Sequence, residues 1–174
     1  MKKVILFAIL AVVCLTVILI FVSSVNGKNE SVEQFKEYLE QNGFTCSNDI
    51  CTMQSVSNYD DIAETYTEIY HFKDHTFTAV WVHDDRSNGT AYQMEYVYNY
   101  EDNTVTMSRY DTADAIREQN PDTVYLLTRE EMLECLEGDV ADSEQELLNN
   151  MLSFKNVLKT HLDGAGVNLQ DIIL

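Results

Sequence analysis

The segment Tyr70-His71-Phe72-Lys73-Asp74-His75-Thr76-Phe77-Thr78 aligns without gaps with Tyr98-Asn99-Tyr100-Glu101-Asp102-Asn103-Thr104-Val105-Thr106, at an offset of 28 residues. Each copy is a strand-like end, a charged turn with a central Asp, and a Thr-x-Thr strand. This pattern predicts two successive hairpins of an antiparallel meander. A solenoid is excluded, because such arrays need three or more repeats and only two are present. The strands are expected over 65–72, 76–83, 91–100 and 104–110.

Alternation within those stretches sorts their side chains by face, since successive residues of a strand point to opposite sides. Tyr92, Met94, Tyr96, Tyr98 and Tyr100 fall on one side of the third stretch. Tyr66, Tyr70 and Phe72 share a side of the first, and Phe77, Ala79 and Trp81 a side of the second. One face of the sheet is therefore strongly aromatic. The default reading of such a face is core, packed under helices. A sharper reading leaves part of it open as a binding surface, with Tyr92, Tyr96, Tyr98, Tyr100 and Trp81 as its contact residues, because Tyr and Trp are common at interfaces.

The flanking segments supply the helices. Ser31 with Gln34 makes a capping box ahead of the stripe Val32, Phe35 and Leu39, which Gly43 ends. Residues 57–61 read as a polar connection. A short helix is expected over 112–119, stopped before Pro121, and then a short buried strand over 124–127. Thr128 with Glu131 and Ser143 with Glu146 are two more capping boxes, opening helices that end near Gly138 and Gly164. The second of these carries Leu147, Met151, Phe154, Leu158 and Leu162 along one stripe. The apolar tail Ile172, Ile173 and Leu174 is expected to tuck against the domain. The fold class is α+β: an N-terminal transmembrane helix, then one domain in which an antiparallel β-meander packs against several helices.

The transmembrane helix is read from Val4 to Val22, a run of 19 residues in which only Cys14 and Thr16 depart from aliphatic or aromatic character. At about 1.5 Å per residue it spans roughly 28 Å, close to the hydrocarbon thickness of a bilayer. Residues 1–27 thus form a membrane anchor or signal segment, and 28–174 an extracytoplasmic α+β domain. The run exceeds the h-region of a cleavable signal, although Ser23, Ser24 and Gly27 would permit cleavage and hence secretion. Lys2 and Lys3 precede the span, which places the N-terminus in the cytoplasm.

Charge narrows the partners. The chain has 11 Lys and Arg against 29 Asp and Glu, a formal net charge of -18. With Lys2 and Lys3 inside, the outer domain keeps nine basic residues against all 29 acidic ones, or −20. Nucleic acid is excluded as a direct ligand, and a protein partner is expected to be neutral or basic.

Cys46 and Cys51 flank the turn-forming Asn48-Asp49 and are expected to close a hairpin end as a disulfide, in keeping with an exported domain. Four intervening residues exclude a redox CxxC motif, and the missing second pair excludes a zinc knuckle. Cys135 is expected to lie buried on an amphipathic helix. His83-Asp84-Asp85 is the most active-looking cluster, and it supports an alternative reading as a small extracytoplasmic hydrolase. The adjoining Arg86-Ser87-Asn88-Gly89 marks a turn, so a solvated loop is the default there. No cofactor motif, zinc spacing or calcium loop is present. Asn29-Glu30-Ser31 and Asn88-Gly89-Thr90 fit the N-glycosylation pattern, which matters only in a host that glycosylates exported proteins. The leading expectation is a membrane-anchored protein-binding or surface-ligand-binding module without catalysis, or an inhibitor-like secreted factor if the N-terminal segment is cleaved.

Overall fold

Seven strands form one antiparallel sheet in strictly sequential order, β1-β2-β3-β4-β5-β6-β7. The computed structural model describes residues 29–128 and 142–173. Helix α1 (29–41) comes first, followed by β1 (Thr45–Ser47), β2 (Ile50–Tyr59), β3 (Ile62–His71), β4 (Thr76–Asp85), β5 (Thr90–Asn99) and β6 (Thr104–Tyr110). A short helix α2 (Ala113–Glu118) leads to β7 (Thr123–Leu127), and helices α3 (Asp142–Ala165) and α4 (Leu169–Ile172) follow. This is the α+β meander the sequence predicts. The expected span 4–22 lies outside the described residues, as do Cys135 and most of the helix expected from Thr128 to Gly138. Among the described residues no helix is long and apolar enough to cross a membrane.

The sequence echo appears as repeated turn geometry. Residues 72–75 and 100–103 are four-residue turns, and each ends on a left-handed residue, His75 (φ 53°) and Asn103 (φ 56°). Neighbouring turns are stitched together through the backbone: Phe72 N–H donates to the Asp49 carbonyl, Tyr100 to His75 and Arg86 to Asp61, each at 2.9 Å. The two-residue turn Asn48-Asp49 brings Cys46 directly opposite Cys51, with their sulfurs at disulfide distance.

Register builds the core. Cys51, Tyr70, Phe77, Tyr98, Val105 and Leu127 stand side by side across six strands, and every one of them is buried. Phe35 and Leu39 of α1 and Phe154, Leu158 and Leu162 of α3 belong to the same buried cluster. Each such side chain contributes roughly 1.5–3 kcal/mol on full burial. Phe77 is sandwiched, stacked on Tyr70 at 4.4 Å and on Phe154 at 4.7 Å between centroids. Ile172 closes the cluster from the C-terminal side with no exposed surface, as the apolar tail predicts.

Glycine and Gln residues end the helices with paired backbone bonds. Gly43 N–H reaches the Glu40 carbonyl and Phe44 N–H that of Leu39; Gly166 and Val167 repeat the pattern on Asp163 and Leu162, and Gln119 and Asn120 on Ile116 and Ala115. Gly43 (φ 95°) and Gly166 (φ 69°) take the left-handed conformation this cap requires. Helix α3 therefore ends at Gly166 and not Gly164. Gly164 lies inside it, where Tyr38 of α1 occupies the space a β-carbon would need.

Three other local expectations change. Ser31 sits within α1 and does not begin it, because the helix already includes residue 29. Residues 57–59 continue β2 up to a tight turn at Asp60-Asp61, pairing Ser57 with Glu64 and Tyr59 with Ile62. This strand is polar because β1 covers only its first turn-proximal residues, which leaves the rest of β2 as an exposed sheet edge. The strand at 124–127 is not buried: Val124, Tyr125 and Leu126 are exposed and only Leu127 reaches the core, because β7 is the last strand of the sheet.

Candidate functional site

The aromatic face is one surface with two environments. At the end near the turns of residues 72–75 and 100–103, α1 and α3 lie over it. Two positions along each strand, at Tyr66, Trp81 and Met94, the side chains are only partly buried, and the same holds one step further at Glu64, His83 and Tyr92. Trp81 and Tyr92 meet edge to face at 5.1 Å, and the His83 ring stacks on Tyr92 at 4.7 Å. His83 Nδ1 lies 3.3 Å from Glu64 Oε1. Partial burial pushes the Tyr92 hydroxyl above its ordinary range, the Glu64 carboxylate adds to this, and Arg109 opposes it. Both rings remain neutral and able to donate.

The five aromatic residues singled out from sequence divide between these environments. Trp81 and Tyr92 occupy the partly exposed end. Tyr96 is half-buried with its ring 5.6 Å from that of Phe154. Tyr98 and Tyr100 are 2% exposed and belong to the core. Burial raises the Tyr98 hydroxyl to about 12, and that hydroxyl donates to Asn103 Oδ1 at 3.1 Å. The Tyr100 hydroxyl has no hydrogen-bond partner.

His83, Asp84 and Asp85 are not brought together. Strand alternation sends Asp84 to the opposite face, where it lies 3.6 Å from Arg86 Nε. Asp85 caps the turn: its Oδ1 accepts from the Ser87 hydroxyl at 2.6 Å and from the Ser87 and Asn88 amides, and its Oδ2 from Asn88 Nδ2 at 2.6 Å. Those bonds, led by Ser87, hold its carboxyl below the usual range. Among the described residues no group of three or more His, Cys, Asp and Glu is placed to hold a metal ion.

A second polar cluster was not singled out from sequence. Glu68 is 5% exposed on the aromatic face, between Tyr66 and Tyr70. The Tyr66 hydroxyl hydrogen-bonds the Glu68 carboxylate, and burial with that charge drives both Tyr66 and Tyr70 far above the ordinary phenol range. Tyr70 therefore stays protonated and donates to Nδ1 of His161 at 2.5 Å. Glu68 Oε2 lies 4.0 Å from the same nitrogen and has no hydrogen-bond partner. Desolvation lowers the affinity of His161 for a proton, and Glu68 counteracts this in part. With Tyr38 and Phe44 rings also facing His161, the cluster joins α1, β3 and α3. Its groups are phenols, a carboxylate and an imidazole, which suit anchoring of a helix to a sheet. The signal in the sequence was a charged residue at an inward strand position.

No protein-family profile matches the chain, and neither the curated proteins nor the solved structures contain a match to it.

Proposed function

We propose that the chain is an extracytoplasmic binding module without catalysis, held in the membrane by residues 4–22, which docks a neutral or basic protein partner on the far end of its aromatic face. The observation that carries this reading is the division of that face: Trp81, His83 and Tyr92 cluster where α1 and α3 do not reach, and they keep part of their surface in solvent. Trp and Tyr offer large apolar contact area with a polar handle, which is why they anchor interfaces. The described neighbours of His83 are a carboxylate and two aromatic rings, a set suited to contact and lacking a nucleophile. The charge of −20 outside the membrane favours basic partners and accelerates their encounter. The paired Cys46 and Cys51 fit an oxidising compartment.

A photoreactive phenylalanine analogue at position 92 of the full chain, in its native membrane, is expected to crosslink a protein partner. The same analogue in place of Thr106, on the opposite face, is expected not to. Equal labelling from both positions, or none from either, overturns the reading.

A further inference from the structure

A separate surface, at the helical end of the molecule, has a different chemistry. Helices α3 and α4 and strand β5 enclose a cavity of about 300 Å³, at the lower end of the range of small-molecule sites. Its floor is apolar: Tyr98, Leu158 and Leu162 are buried, and Leu169 is half-buried beside them. Its rim is cationic. Lys155 and Lys159, one helical turn apart on α3, both line it in a chain where acids outnumber bases 29 to 11. Asp163 is the single carboxylate of the lining, and it faces Lys159 Nζ at 2.5 Å across one turn. Both members of that pair are mostly exposed, so the attraction is weak and readily exchanged. Lys155 Nζ donates to the neutral Asn103 Oδ1 at 2.6 Å and lies 5.6 Å from the centre of the Tyr98 ring. An ammonium has three donors, so a ligand oxygen can join these contacts without displacing them.

We infer that this cavity binds a small carboxylate amphiphile, with its apolar tail on Tyr98, Leu158, Leu162 and Leu169 and its carboxylate between Lys155 and Lys159. Two properties select this class. The lining reverses the sign of charge found over the rest of the protein, so it discriminates for anions where the surface repels them. The volume accommodates about ten non-hydrogen atoms at roughly 30 Å³ each, which admits a short acyl or aryl acid and excludes a two-chain lipid. The site is remote from Trp81 and Tyr92 and stands independently of the docking reading above.

Octanoate is the probe. Titrated into the full chain with methyl-labelled Leu and Val in neutral-lipid nanodiscs, it is expected to give saturable shifts confined to Leu158, Leu162, Val167 and Leu169. Octyltrimethylammonium and octanol are expected to give none, and anionic lipid added to the disc without octanoate likewise none. The Lys155→Met/Lys159→Met variant, altered at one half-buried and one exposed position, is expected to lose at least tenfold in affinity with its spectrum otherwise intact. Leu169→Trp, which fills the cavity and keeps both charges, is expected to abolish binding. Equal binding of the cationic or neutral probe, unchanged affinity in the double lysine variant, or no localised shift up to the solubility limit of octanoate overturns the proposal.

Discussion

The two ends of the aromatic face have the same residue types and the same alternation, yet they live in different media. At one end Tyr70, Phe77 and Tyr98 lose nearly all contact with water beneath α1 and α3. At the other, Tyr66, Trp81 and Tyr92 keep part of it. Period-2 patterning reports which side of a strand is apolar, and it is silent about how far along the strand a helix reaches. Coverage is a tertiary property, set here by the length and placement of α1 and α3. The difference separates residues that hold the fold from residues free to meet a partner.

The sharpest way to break this comparison is to truncate one ring at each end. Phe77→Ala, which empties a site stacked on both sides, is expected to cost about 3–5 kcal/mol, and Trp81→Ala about 1–2 kcal/mol because much less buried area is lost. Urea unfolding of each variant measures both, and equal losses would show that the far end is as covered as the near one. Next in size is the hairpin staple at the edge of the near end. Replacing Cys46 and Cys51 by Ser opens a short loop and is expected to cost about 2 kcal/mol on loop entropy, with no loss at the far end of the face. A thermal melt compared with the reduced wild type separates the bond from the side-chain change.

The smallest effect concerns pH. His161 has its proton affinity lowered in the folded state relative to its ordinary pKa of 6.5, so the unfolded chain binds the proton more readily. The stability this contributes is complete above pH 6.5 and is lost as the pH falls below that value through the folded pKa. Unfolding free energies of His161→Gln and wild type, measured between pH 7.5 and 5.5, are expected to converge as the pH falls. A difference that stays constant or widens would show that His161 is not held neutral by its burial against β3 and α1.

Much of this architecture was legible because it is local. The echo between Tyr70–Thr78 and Tyr98–Thr106 specified two hairpins with matching turns, and both have a left-handed residue at the same place. The stripe Met151, Phe154, Leu158 and Leu162 specified the buried side of α3. What escaped depends on position in the sheet or on distant pairing. Val124 and Leu126 have the composition of a buried strand, and only the topology makes them an edge. Ser57 and Asn58 look like a loop because an edge strand can afford polar side chains. Ser31 carries a capping-box pattern, yet a helix that continues upstream makes it an interior residue. Tyr70 and His161 meet across 91 positions, a pairing no local pattern encodes. Of the candidate binding residues, Trp81 and Tyr92 are placed where solvent reaches them, and Tyr98 and Tyr100 are not.

The sequential order of the strands has a consequence for how the chain acquires its structure. Each strand needs only its immediate neighbour, so pairing can advance from one hairpin to the next with short loops to close, the arrangement associated with fast folding. The helix that supplies Phe154, Leu158 and Leu162 is made only after all seven strands. Until it arrives, the row of Tyr70, Phe77 and Tyr98 is open to water along one side of a nearly finished sheet, and that interval, more than any step of strand pairing, is when the molecule is most exposed to aggregation.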